Sequence, residues 1–276
     1  MIQALTHSEF SSIMSNHFFL LEKKPHVALS FSGGSDSLAL LILLNRWIKK
    51  RDGILTLIHF NHKLRKESYL ETVFTKKISK KLNLNFKILN WDNQKPVSAL
   101  MLKARYLRYK KIIDFCKKQK IITLMTAHHY NDSLETYLMR KERKFSTLGL
   151  AGIPTRNNRD DVQILRPLIN ICKERLLKTC KKYRYKWIED PSNKNEKFER
   201  IRIRNIITNF SKKEKSNVIN DFNKCKETNY CIERNIGEFF VNNLKFQDFG
   251  EFLLDRKKFS DQPESKQIEI MKRILV

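Results

Sequence analysis

Ser32-Gly33-Gly34-Ser35-Asp36-Ser37 sets two glycines, three hydroxyls and a carboxylate between an apolar run at 26–31 and an apolar helix start at Leu38. Adjacent glycines let a backbone approach a ligand with no Cβ in the way. Backbone N–H groups in such a turn, and at the helix N-terminus behind it, point at an anion. Asp36 is the kind of group that holds Mg²⁺ beside a phosphate cradle. The pattern lacks the Gly-Lys-Ser/Thr ending of a Walker A loop. The competing reading is an ordinary Gly-Gly turn, and the hydroxyls and carboxylate set around it weigh against that.

Thr126-Ala127-His128-His129-Tyr130-Asn131-Asp132-Ser133-Leu134-Glu135-Thr136 ends a strand in two histidines and begins a helix. Asp132 and Glu135, three apart, share a helix face. His128 can accept a proton or orient a carboxylate. Asp132 is equally readable as a first-turn charge favoured by the helix dipole. His59-Phe60-Asn61-His62-Lys63-Leu64-Arg65 follows another strand, as a nucleotide contact or a plain surface turn. Arg105 and Arg108 lie three apart in a helical stretch, where two guanidiniums suit phosphate and a solvated basic face is the alternative. Trp187-Ile188-Glu189-Asp190-Pro191-Ser192-Asn193 precedes Arg200-Ile201-Arg202-Ile203-Arg204. Its arginines would share one side if extended and spread over an arc if helical. Between 178 and 226 stand 15 Lys/Arg against 6 Asp/Glu, interleaved with Tyr183, Tyr185 and Trp187, a mixture nucleic-acid surfaces use.

The elements that must carry these groups alternate. Strands are predicted at 26–31, 54–60, 86–89 and 121–127, and helices at 37–50, 68–82, 97–118, 132–141 and 173–185, with 155–162 as a polar surface loop. This rhythm predicts an α/β fold, a parallel sheet with helices on both faces. Ligands of such sheets bind beyond the carboxyl ends of the strands, where three of these five motifs, the Ser32–Ser37 loop, 59–65 and 126–136, fall. The rhythm stops near 212. Helical patterns then carry Phe239, Phe240, Phe246, Phe249 and Phe252 as core or interface candidates. The domains expected are 1–212 and a small, mainly helical 213–276, with the boundary near 210–216.

The 276 residues carry 55 Lys and Arg against 29 Asp and Glu, a net charge of +26. A polyanionic partner and the compositional drift of a Lys-, Asn- and Ile-rich chain both account for such an excess. Cys116, Cys172, Cys180, Cys225 and Cys231 form no C-x-x-C pair, so zinc and iron–sulfur readings lack support and the thiols read as free, in a reducing cytoplasm. No apolar h-region of a signal peptide is visible, and no stretch approaches the ~20 apolar residues that span a bilayer.

The Ser32–Ser37 loop resembles the Ser-Gly-Gly-X-Asp-Ser loop of the PP-loop (N-type) ATP pyrophosphatases, with their adenine nucleotide alpha-hydrolase-like fold. In order, the loop, Asn61-His62-x-Leu64-Arg65, Ala104-Arg105-x-x-Arg108-Tyr109, Ala127-His128-His129 with Asp132 and Glu135-Thr136, Met139-Arg140, Gly149-Leu150-Ala151-Gly152-Ile153, Arg166-Pro167-Leu168, and Glu189–Asn193 with Arg200, Arg202 and Arg204 together resemble the tRNA(Ile)-lysidine synthetases across roughly 25–210. The resemblance implies ATP and Mg²⁺ as cofactors, L-lysine as co-substrate, and a tRNA(Ile) with a CAU anticodon as partner. It implies that ATP adenylates C2 of the wobble cytidine and that lysine then displaces AMP. Ser32, Gly33, Gly34, Ser35, Asp36, Ser37, Asn61, His62 and Arg105 are then expected at ATP, and Asp36 at the metal. Asp36, His128, Asp132 and Glu135 are expected at the chemistry, and Arg65, Arg108, Arg200, Arg202 and Arg204 at phosphates. The resemblance is compatible with a homodimer. Related tRNA thiolases share the loop but commonly use cysteine pairs, and a non-catalytic tRNA-binding relative is the third reading. Two stretches depart from the pattern. Asn131-Asp132-Ser133 stands for Asp-Asp-Gln, and Arg143-Lys144-Phe145-Ser146 replaces a glycine-rich stretch, predicting a stiffer loop there.

Overall fold

The computed structural model describes residues 2–17, 21–63, 68–91, 100–189, 199–249 and 251–275. Arg65 and Asp190–Asn193 lie outside the described residues. The chain divides into two compact units, Met1–Thr136 with Ile153–Asn205, and Tyr137–Gly152 with Ile206–Val276.

The first unit is built on a six-stranded sheet of β1 (His26–Ser30), β2 (Ile54–Asn61), β3 (Asn85–Asn90), β4 (Thr123–Met125), β5 (Arg156–Arg159) and β6 (Val162–Leu165), in the order β3-β2-β1-β4-β6-β5. All neighbours are parallel except β5, which is antiparallel to β6 at the edge. Burial explains the sequence pattern. Val27, Leu29, Leu55 and Leu57 point to one face, where they pack in one core with α1 (His7–His17), α2 (Ser35–Lys49), α3 (Ser68–Leu82) and α7 (Lys173–Lys182). Ala28, Ile58 and Phe60 point to the other, against α4 (Leu100–Lys118) through Ala104, Tyr109, Ile112 and Ile113. A strand buried on both faces reads as a continuous apolar run, as β1 and β2 do.

The polar loop expected at 155–162 is instead a hairpin. Asp160 and Asp161 both take positive φ, +48° and +65°, the two-residue turn whose twist matches that of its strands. Arg156–Arg159 is an edge strand with one side in water, so its polarity hid it, while Val162–Leu165 supplies the strand beside β4.

β1 leads outward to β2 and β3, whereas β4 lies on its other side. The strand order therefore reverses between β1 and β4, the place where ligands bind such sheets. The segments leaving these two strands are Phe31–Gly34 and Thr126–His129. The buried thiols of Cys116 and Cys180 are pushed up to about 12 by desolvation, which makes them inert packing groups.

In the second unit, α6 (Thr147–Leu150) packs on α9 (Lys212–Asn243), a helix opened by a capping box between Ser211 and Glu214. A hairpin of β7 (Leu244–Phe246) and β8 (Phe252–Leu254), then α10 (Arg256–Ser260) and α11 (Glu264–Ile274), complete it. Ile236, Phe239 and Ile270 form its core, with Phe240 packed against them. Phe246 and Phe249 are exposed, Phe249 almost fully. Arg140 donates to the carbonyls of Gly149 and Gly152 at 2.7 and 3.0 Å, tying down the stretch that follows Arg143–Ser146. Among the described residues no helix is long and apolar enough to cross a membrane.

Candidate active site

The turn after β1 keeps its phosphate-cradle geometry through its own hydroxyls. Ser32 Oγ lies 3.1 Å from Ser37 Oγ and accepts the Gly34 N–H at 3.4 Å, and Ser37 donates to the Gly34 carbonyl at 3.0 Å. Among the described residues no side chain caps α2, whose N-cap is Gly34, which leaves its first amides to face an anion. Gly33 sits at φ +84° and its carbonyl accepts from Ile188, which ties the 185–189 segment to the back of the loop. A Cβ on Gly33 would lie 3.1 Å from Phe74 and 3.3 Å from Thr75. Gly33→Ala is therefore expected to cost about 1–3 kcal/mol of stability from the left-handed backbone alone. It should also weaken nucleotide binding, and a calorimetric titration with ATP beside a thermal melt checks both.

Asp36 faces the crevice. Lys173 Nζ, from the first turn of α7, lies 2.6 and 2.7 Å from its two carboxylate oxygens and 2.9 Å from Ser35 Oγ. Burial pushes the Asp36 carboxyl up, but His129 and Lys173 outweigh it and hold the group below the usual aspartate value. His129 Nε2 lies 3.6 Å from an oxygen of Asp36 and 3.6 Å from an oxygen of Asp132. The loop after β1 and the turn after β4 thus meet at one imidazole. Asp132 also accepts the His129 backbone N–H at 3.0 Å, holding the first turn of α5 (Tyr130–Glu142).

Glu135, one turn on, is buried. Its oxygens lie 3.1 Å from Arg200 Nε and 2.8 Å from Arg204 Nε, both from α8 (Glu199–Asn209). The Arg204 contact is a well-aligned hydrogen bond, while the Arg200 contact is an ion pair off hydrogen-bond geometry. Burial works against the Arg204 charge, but Glu135 more than offsets it and raises its pKa. Residues 200–204 are helical, so Arg200 and Arg204 share the face that meets Glu135 while Arg202 is exposed elsewhere on the helix.

His128 stands apart from this cluster, bonded through Nδ1 to Thr126 Oγ1 at 2.9 Å. Burial first, then the charges of Arg166, Arg105, Arg108 and Arg200, hold its pKa well below the ordinary value, so it is neutral at pH 7. Arg108 is lowered by burial too and lies 5.5 Å from the Tyr109 ring. Asn61 donates to Thr72 at 3.2 Å and accepts the Lys63 N–H at 2.9 Å, and His62 stacks edge-on against Phe60, so both have structural partners at the end of β2.

Sequence reasoning did not single out Lys173 or His129, the two groups that touch Asp36. Lys173 is one lysine in a basic helix, and nothing local marks it as the one that returns to β1. The two departures in α5 have jobs. Asn131 Oδ1 accepts the Lys173 N–H at 3.0 Å, satisfying the first amide of α7, and Ser133 Oγ accepts from Ile153 at 3.4 Å. Among the described residues no three His, Cys, Asp or Glu side chains gather as a metal site, so a divalent cation here would take most of its ligands from phosphate oxygens, with Asp36, now paired with Lys173, as the protein's carboxylate. Asp36 lies beside the uncapped N-terminus of α2, within 3.6 Å of the same imidazole as a second carboxylate.

The PP-loop domain family matches residues 4–210. The tRNA(Ile)-lysidine synthase of Orientia tsutsugamushi is 29% identical over 94% of this chain and 61% of its own length. The enzyme of that name from Rickettsia bellii is 33% identical over 91% and 58%, and that from Wolbachia pipientis 38% over 66% and 42%. The chain thus spans about three fifths of the length of the first two relatives. Among solved structures, the U34-tRNA thiolase NcsA of Methanococcus maripaludis superposes with a TM-score of 0.66 at 19% identity, covering 80% of this chain and 79% of that one, a likeness of fold.

Proposed function

The chain belongs to the PP-loop family, and on that footing we propose that it is a tRNA(Ile)-lysidine synthase, an ATP-dependent ligase of the reducing cytoplasm. The reading is that it joins L-lysine to C2 of the wobble cytidine of a tRNA(Ile) with a CAU anticodon, forming a carbon–nitrogen bond. The observation that carries it is the meeting of Asp36 and Asp132 at His129, which sets an ammonium-binding carboxylate beside the phosphate loop. The names of the relatives supply the substrate.

In this reading the free amides of α2 and the loop hydroxyls receive the β- and γ-phosphates. The C2 oxygen of the cytidine, turned out of its stack, attacks the α-phosphate, and pyrophosphate leaves. Mg²⁺ held at Asp36 with the phosphates would offset the charge on that leaving group. Lys173 supplies a second positive charge at the same place. The ε-amine of lysine, bound at Asp132, must lose a proton before it can attack C2 and expel AMP. Asp132 and His129 are the groups placed to take it. His128, kept neutral by burial and by the arginines around it, orients rather than accepts. Arg200 and Arg204, held by Glu135, meet phosphates of ATP or tRNA, and exposed Arg202 meets the tRNA backbone.

Incubation with ATP, labelled lysine and a tRNA(Ile) transcript bearing CAU is expected to give lysine-labelled tRNA, with elongator tRNA(Met) unlabelled. AMP released without lysine transfer would point to another PP-loop reaction. Salt-sensitive tRNA binding with neither product would leave a binding protein.

A further inference from the structure

A cavity of about 310 Å³ lies between α4 and the β5–β6 hairpin, outside the loop and carboxylate cluster described above. Arg105, Tyr106, Tyr109, Asn157, Arg159 and Arg166 line it, and among the described residues its lining contains three guanidiniums and no carboxylate. At its inner end Arg166 is 5% exposed. Its Nη1 is spent on the Pro154 carbonyl and Asn157 Oδ1 at 2.8 and 2.7 Å, yet its Nε has no acceptor among the described residues. The Tyr109 hydroxyl, also buried, lies beside the Arg108 and Arg166 guanidiniums without a well-aligned hydrogen bond among the described residues. A buried donor without an acceptor is costly, so this end asks for acceptor oxygens from outside.

The rim offers something different. Tyr106 is 56% exposed, and the Arg159 guanidinium lies 5.4 Å from its ring centroid. Among the described residues Arg159 has one weak acidic neighbour, Asp160, at 4.0 Å. Flat aromatic and guanidinium faces at a cationic rim are what nucleobases stack on. A bare anion would satisfy the inner end and leave the rim unused, while an apolar ligand would do the reverse.

We infer that this cavity holds one nucleotide of a single-stranded RNA segment, its phosphate oxygens at Arg105 and Arg166 and its base on Tyr106 and Arg159. On the proposed function this is a nucleotide neighbouring the wobble cytidine, read from α4 and the β5–β6 hairpin. The inference rests on that reading for the identity of the RNA.

The test is fluorescence anisotropy of the full chain with a labelled seven-nucleotide single-stranded RNA at fixed ionic strength. Tyr106→Ala and Arg159→Ala should each weaken binding about tenfold. Tyr106→Phe, which keeps the ring, should retain affinity. The same melting temperature in all variants excludes misfolding. Unchanged affinity in both alanine variants overturns the inference. Equal displacement of RNA by millimolar inorganic phosphate from wild type and both variants also overturns it, because the site would then take an anion only. Cavity-dependent RNA binding without lysine transfer would sink the enzyme reading and leave this site standing.

Discussion

Asp36→Ala is expected to stop pyrophosphate release, by about a thousandfold or more, while binding of tRNA(Ile) stays within a few-fold of wild type. The carboxylate is the acidic group on the loop whose uncapped helix faces the crevice, and charge on the departing pyrophosphate is what such a site must offset. Its removal also leaves the Lys173 ammonium beside Ser35 without its partner, since both oxygens of Asp36 lie within 2.7 Å of Nζ. That contact is about a third exposed at each side chain, so water rehydrates the lysine and the stability cost stays modest, about 1 kcal/mol. Lys173→Met serves as the partner experiment. It removes one charge at the same place without touching the carboxylate, so a smaller fall in pyrophosphate release is expected. Single-turnover pyrophosphate release, tRNA binding by filter retention and a thermal melt separate the outcomes. Loss of tRNA binding together with melting would make Asp36 a structural residue.

The difference between what the sequence discloses and what it conceals follows distance along the chain. The Ser32–Ser37 loop is legible because its glycines, hydroxyls and carboxylate act within one turn. β1 and β2 are legible because both faces are buried and they read as apolar runs. β5 is not, because an edge strand of Arg-Asn-Asn-Arg with one face in water has no periodic signal, and only the paired positive φ angles at Asp160 and Asp161 reveal the hairpin. Lys173 is concealed for another reason. It stands 137 positions from Asp36, and it meets that residue because α7 packs on α2 in the core under the sheet. Asn131 looks like a loss when compared with the family pattern. In the fold it accepts the backbone amide of Lys173, so the substituted position fixes the helix that delivers the lysine. The arginines at 200–204 show the limit of period arguments. Alternation with isoleucine mimics a strand, yet the segment is the helix α8, in which Ile201 and Ile203 are both buried although they lie on different sides of it.

Glu135→Ala is expected to destabilise the chain by about 2–3 kcal/mol and to lower lysine transfer at least a hundredfold. Breaking a buried ion pair by removing one partner costs about 3–5 kcal/mol, because the other charge is left unpaired. Here two guanidiniums lose the same carboxylate, 3% exposed, but Arg200 and Arg204 are themselves 34% and 44% exposed, and water recovers part of the loss. Glu135→Gln divides the two effects. The amide oxygen still accepts from Arg204 Nε, so most of the melting temperature should return, while the two arginines, no longer neutralised, should close on phosphate or repel the lysine ammonium. The readouts are the melting temperature, the first-turnover pyrophosphate burst and lysine transfer. A retained burst with transfer still depressed places Glu135 in the second half of the reaction. Recovery of transfer along with the melting temperature would reduce it to a brace for α8. An unaltered melt in Glu135→Ala would mean that the paired arginines do not hold that helix at all. The carboxylate is therefore asked to do two separable things, and one pair of substitutions at a single position distinguishes them.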